Sequence, residues 1–209
     1  MKIIGPLAKE NKLSDFPDFN DAAKLSWIKQ QLKKLREQER ETPREFIDRE
    51  SHYVWGKRYL LKVVQEDAAH RIELKHRTMK LYVRPGTGEE ARNEIVVQWL
   101  RDQIRSALPE LIAKWEPRLG VNVEKVFIQH MKTRRGSCNP KAGNIRLNTD
   151  LARKPLECLE YILVHEMAHL IEHTHNDRFV SLMERFMPKW KFHRDQLNRL
   201  PVRHEVWEY

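Results

Sequence analysis

Apolar positions along the chain keep two alternating rhythms. Across residues 21–42 they recur at helical spacing: Leu25, Ile28, Leu32 and Leu35 share a face, Asp21 offers an N-cap, and Pro43 ends the run. A helix is predicted there, after a loose lead-in over 1–20 that holds Gly5, Pro6 and Pro17. From 51 to 84 the period changes to two. The segments HYVWGKRYLLKVV, HRIELKH and TMKLYVRP predict an antiparallel meander of about three strands.

Past Pro85-Gly86-Thr87-Gly88 the helical period returns. Ile95, Val96, Trp99, Leu100, Ile104, Leu108, Leu111, Ile112 and Trp115 form a stripe over 89–116, with Pro109 expected to kink or divide the helix and Gly120 to stop it. Alternation resumes in VNVEKVFIQHM (121–131) and NIRLN (144–148), which predict a hairpin across the turn-rich KTRRGSCNPKAGN. After Pro155 the run LECLEYILVHEMAHLIEH is apolar nearly all round, the mark of a buried helix. A break at 173–176 precedes helices FVSLMERFM and 190–199, where Phe179, Leu182, Phe186 and Met187 read as core. The succession is that of an α+β chain. Residues 121–200 are expected to form its catalytic core, with the sheet region 45–84 packed beside it.

Length and composition narrow the class. The 209 residues suit one domain, or one with a small appendage, and 40% apolar content is enough for a core. No apolar stretch reaches membrane-spanning length, and MKIIGPLAKENKLSDF lacks a signal-peptide core, so a cytoplasmic protein with no membrane partner is expected. Two cysteines, Cys138 and Cys158, are too few and too far apart for a disulfide framework or a CxxC pair. A net charge of +9 admits anionic partners, but the longest basic run, KQQLKKLREQERE, interleaves Glu with Lys and Arg. With no base-reading signature, the expectation is at most weak, non-specific nucleic-acid association.

The chemistry sits in His165-Glu166-Met167-Ala168-His169. Histidines at i and i+4 share a helix face, so both imidazoles can reach one ion. Glu166 lies on the same side, where it can hold a metal-bound water and accept its proton. Burial makes a metal the economical explanation, because two buried His and a buried Glu otherwise need separate partners. A third ligand is required. His173 is eight residues beyond His165, about 12 Å of helix rise, too far to converge on one straight helix. His175 follows the break, where a turn could swing it back; Glu184 on the next helix is an alternative. His173 otherwise reads as a helix-end residue.

Further candidates surround the motif. The NIRLN strand is expected beside the HExxH helix, either as a free edge or inside the hairpin. Lys132, Arg134 and Arg135 could stabilise an oxyanion or grip phosphate, or simply be solvated. Cys138 reads as a small hydrophobe or a group behind the ligands. Tyr161 and His193 are candidate donors by residue type only.

RRGSCNP (134–140), NIRLN, LVHEMAHL (163–170) and THNDRF (174–179) together resemble the YgjP-like metallopeptidase-domain family, a relative of the SprT-like and WLM zincins. The resemblance covers roughly residues 45–200 and implies a compact zincin-like core, with the HExxH helix beside a small antiparallel sheet or hairpin. It implies a zinc ion held by His165, His169 and His175, with Glu166 as general base, and it divides the chain into 1–44 and a domain over 45–209. Arg135 departs from the aromatic residue such proteins usually carry there. The leading expectation is a zinc-dependent peptidase acting on peptide or protein. Two alternatives stand beside it: a metal-dependent nucleoside-triphosphate pyrophosphatase, and a metal-stabilised module that docks DNA or protein.

Overall fold

The computed structural model describes residues 44–132 and 134–200, together with Ser26 and Lys29. Those two are helical and exposed; the rest of the helix expected over 21–42 lies outside the described residues.

Four strands come first: β1 Ser51–Val54, β2 Lys57–Gln65, β3 Arg71–Lys75 and β4 Thr78–Val83. They form one sheet in the order β1-β2-β4-β3. This is not the expected meander. The long segment HYVWGKRYLLKVV is two strands, broken at Trp55 and Gly56, whose φ angles of 49° and 75° are both positive, as a tight primed hairpin turn demands. β4 then inserts between β2 and β3, parallel to β2 and antiparallel to β3. Burial explains the order. Leu61, Met79, Leu81 and Val83 are fully buried on β2 and β4, which take the centre, while β3 is exposed at nearly every position and takes an edge.

A single helix, α1, runs over Glu89–Leu119 and ends at Gly120, which adopts the left-handed conformation and donates its N–H to the Glu116 carbonyl. Pro109 lies inside it and does not divide it. Val96, Leu100, Ile104, Leu108, Leu111, Trp115 and Leu119 make its buried stripe.

The second sheet contains β5 Lys125–Gln129, β6 Gly136–Asn139 and β7 Asn144–Asn148, in the order β5-β7-β6. Here the sequence reading needs two corrections. The hairpin is β6–β7, because part of the turn-rich loop is itself a strand, and β5 pairs with β7 in parallel. β7, the NIRLN strand, is therefore central; β6 is the edge. Gly136 and Asn139 are of types depleted in strands, and β6 has no large or β-branched residue, which hid it.

Asn148 caps a 3-10 helix, Thr149–Arg153, by accepting a hydrogen bond from the Asp150 N–H at 3.1 Å. Pro155 then starts α2, Leu156–Ala168, followed by α3 Asp177–Phe186 and α4 Trp190–Arg199. The α2 helix packs on β6 and β7, on α1 and on both later helices. It is fixed at several points. The Trp55 N–H donates to the Ala152 carbonyl at 2.8 Å, so the β1–β2 turn is clamped to the segment that launches α2. Gly56 has no room for a side chain: a Cβ there would lie 2.8 Å from Pro155 Cγ. Glu160 of α2 accepts from Lys114 Nζ at 2.6 Å and from Trp115 Nε1 at 2.7 Å, which ties α2 to α1. The described helices include none long and apolar enough to cross a membrane.

Candidate metal centre

Helix α2 ends sooner than its apolar run does. His169 is its C-cap, and the Leu170 and Ile171 N–H groups bond back to the Met167 and Ala168 carbonyls, each at 3.0 Å, so the last turn tightens and the chain leaves the helix axis. His173 supplies the cap: its Nδ1 lies 3.0 Å from the His169 carbonyl oxygen, to which it donates. The Glu172 carboxylate accepts from the Thr174 hydroxyl at 3.1 Å and from the Thr174 N–H at 3.4 Å, and these bonds hold it below the usual carboxylate range. Asn176 then caps α3 by accepting from the Phe179 N–H at 3.0 Å. Polar bonds within one short loop thus fold the chain back and leave His175 facing α2.

The result is a cluster of three imidazoles. His165, His169 and His175 each offer a ligand atom, and these atoms all lie within 4.8 Å of one another. The Nε2 atoms of His165 and His175 are 3.0 Å apart. Ring centroids are separated by 5.0 Å for His165 with His169 and with His175, and by 4.7 Å for His169 with His175. Glu184 is elsewhere, accepting an ion pair from Lys191 Nζ at 2.8 Å, and His173 is taken up by its cap.

The donor set fits a metal ion. His169 Nδ1 is 3.0 Å from the Glu172 carbonyl oxygen, which can only accept; Nδ1 therefore carries the proton, and Nε2 keeps its lone pair for the cluster. Burial, then the neighbouring imidazoles, push His165 down to about 4, so it is neutral at physiological pH, as a ligand must be. Burial likewise lowers His169. Three imidazoles are a ligand set suited to zinc, copper, iron or nickel.

Glu166 follows His165 and is buried, with 6% of its surface exposed. Burial pushes its carboxyl up to about 7, opposed by the charge of Arg134. The β6 backbone presses against it. At Gly136 a Cβ would meet Glu166 Oε1 at 2.6 Å, Glu166 Cγ at 2.9 Å and Ile162 Cγ2 at 2.9 Å. A glycine is required by this close approach, not by its φ angle.

Some residues matter in ways the sequence did not reveal. Phe179, read as simple core, stands at centroid distances of 4.9, 4.6 and 4.8 Å from His165, His169 and His175, stacked on His169. Its place four residues after His175 at the start of a helix is the signal that could have marked it. Asn148, read only as the end of a strand, is buried; its Nδ2 donates to the Met131 and Arg134 carbonyls at 2.7 and 2.8 Å.

The remaining candidates scatter. Arg135 is half-buried and donates to Asn198 Oδ1 at 2.7 Å and to the Leu197 carbonyl at 3.3 Å, while burial lowers its pKa. It braces α4. Lys132 and Arg134 are exposed. Tyr161 is buried a turn before His165, its ring edge-on at 5.9 Å, and burial raises its phenol. His193 lies against Phe192 on α4, at 5.5 Å. Burial pushes the Cys138 and Cys158 thiols up to about 11 each, so both remain protonated.

Three imidazoles meeting beside a buried carboxyl define a candidate metal-dependent hydrolytic centre. The family model described as YgjP-like, metallopeptidase domain, matches residues 15–200, and the chain belongs to that metallopeptidase family. The match extends further toward the N-terminus than the motifs do. Among solved structures, the chain is similar to the metallopeptidase zymogen of Pyrococcus abyssi abylysin, with 25% identity over 48% of this chain and 90% of that one, at a TM-score of 0.37. It is also similar to the metallopeptidase zymogen of Methanocaldococcus jannaschii jannalysin, with 19% identity over 48% of this chain and 92% of that one, at a TM-score of 0.35. No curated protein matches.

Proposed function

We propose that the protein is a zinc-dependent peptidase with a zincin-like core, in which His165, His169 and His175 hold the metal and Glu166 is the general base. The carrying observation is the convergence of three imidazole ligand atoms within 4.8 Å of one another, next to a buried glutamate. When bound, zinc polarises a substrate carbonyl and lowers the pKa of its water.

The chain's own groups do the rest. Glu166, with burial holding it near 7, is basic enough to take a proton at neutral pH and acidic enough to release it to a leaving amine. The bond from His169 Nδ1 to the Glu172 carbonyl fixes tautomer and ring orientation. Phe179, only 2% exposed, excludes water behind the ligands. Gly136 lets β6 reach the carboxyl and limits where it can swing.

The domain over 45–209 carries this activity, with 1–44 a lead-in and helix. The substrates are peptides or proteins in the cytoplasm, and nucleic acid associates weakly and without sequence preference.

The test is metal analysis of purified protein beside an activity panel. The expected result is about one zinc per chain, as a single tetrahedral site requires, with cleavage of peptides. Release of pyrophosphate from nucleotides without peptide cleavage would transfer the site to the pyrophosphatase reading. Metal without any turnover would leave the docking-module reading.

A further inference from the structure

Resting on the peptidase reading above, we infer that Arg134 is a specificity-determining residue that favours peptides with a carboxylate side chain beside the bond cleaved.

The cations around the centre have different fates. Arg135 is committed to Asn198 and Leu197 of α4. Arg178, on α3, faces the Glu172 carboxylate at 3.9 Å. Arg134 is exposed and makes no ion pair among the described residues. Its backbone, by contrast, is held. The buried Asn148 donates from Nδ2 to the Arg134 carbonyl at 2.8 Å and to the Met131 carbonyl at 2.7 Å, while its own N–H donates to the Arg135 carbonyl at 2.9 Å. Arg134 is therefore an exposed guanidinium on an anchored stem.

The stem is anchored beside the chemistry. Two residues further on, Gly136 lies so close to Glu166 that a Cβ would stand 2.6 Å from Oε1. Two residues of chain span at most about 7 Å, so the Arg134 backbone borders the approach to the carboxyl. A cation held beside the site attracts anionic side chains and repels cationic ones. The planar guanidinium fork also matches a carboxylate geometrically.

The test uses full-length, zinc-loaded protein and matched peptides that differ only in Glu, Gln or Lys beside the scissile bond. Wild type is expected to favour Glu over Gln by about fivefold in kcat/KM, the scale of a well-placed surface ion pair. Arg134→Gln should bring that ratio to about one, Arg134→Lys should keep part of it, and Arg134→Glu should favour the Lys peptide. A ratio unchanged in Arg134→Gln and Arg134→Glu would overturn the inference. So would loss of nucleotide hydrolysis in Arg134→Gln with an unchanged peptide ratio, which would assign the cation to phosphate. Calorimetry on the Glu166→Gln protein separates this inference from the peptidase reading. Tighter binding of the Glu peptide, lost when Arg134→Gln is added, supports Arg134 even if wild type cleaves no peptide. Equal binding of the Glu and Gln peptides overturns it.

Discussion

The two sheets are built for different ends. In the four-stranded sheet the inner face packs large apolar side chains, with Leu61, Met79 and Leu81 almost wholly buried, while Tyr53, Arg58, Leu60 and Lys62 face water. That alternation makes a stable half-buried surface, and the sheet contributes none of the three clustered histidines. In the three-stranded sheet the edge strand is Gly136-Ser137-Cys138-Asn139, with nothing large to pack. Small residues let the β6 backbone approach α2 closely enough to touch Glu166. The first sheet spends its sequence on burial; the second gives up strand propensity for proximity.

Mutations can sharpen this contrast. The largest expected effect belongs to the site itself: His175→Ala should weaken zinc affinity by at least about 100-fold, beyond what loss of a supporting hydrogen bond costs, measured by chelator competition. Retained affinity would assign the third ligand elsewhere.

Next comes Gly136→Ala. Its Cβ would stand 2.6 Å from Glu166 Oε1, so the carboxyl or β6 must move. A shift near 1 Å is expected to cost roughly 100-fold in kcat, with about 1–3 kcal/mol of stability from overpacking, both read by kinetics and denaturant titration. Wild-type kinetics in this variant would mean that the strand does not position the base.

How much of this was legible in the chain depended on whether the determinant was local. The i, i+4 pair of His165 and His169 and the break after it were readable because one turn of helix fixes both. His175 could be weighed because the loop that returns it is short. Strand neighbours were not readable. Alternation in 51–84 says which side chains face inward, but not that β4 inserts between β2 and β3; that follows from which strands bury most. β6 was missed for the same reason that it matters, since the small residues that permit contact with Glu166 also erase the strand signal. Phe179 looked like core because its helical spacing suits both roles.

A pH experiment probes the buried carboxyl on a smaller scale. Glu166 rises from 4.5 to about 7 on folding, so in metal-stripped protein the folded state binds the proton more tightly than the unfolded one. Its contribution to stability is therefore full below 4.5 and is lost as pH rises toward 7. Glu166→Gln should remove that part of the profile, leaving protein that loses less stability across this window in denaturant titrations. Identical slopes in the two proteins would place the carboxyl in water.

The smallest effect is expected on the outer face of the first sheet. Leu60 is 40% exposed there, and Leu60→Thr should change stability by no more than about 0.5 kcal/mol, with unchanged zinc content. A large loss by thermal denaturation would show that this face is covered.

The most direct measurement of the central claim is peptide turnover by Glu166→Gln with zinc quantified in the same sample. The substitution keeps the size of the side chain and leaves His165, His169 and His175 in place. The account requires full zinc occupancy with turnover reduced by at least about 100-fold, the lower range for losing a general base. Full occupancy with wild-type turnover would show that the proton is accepted elsewhere and would contradict the role given to Glu166.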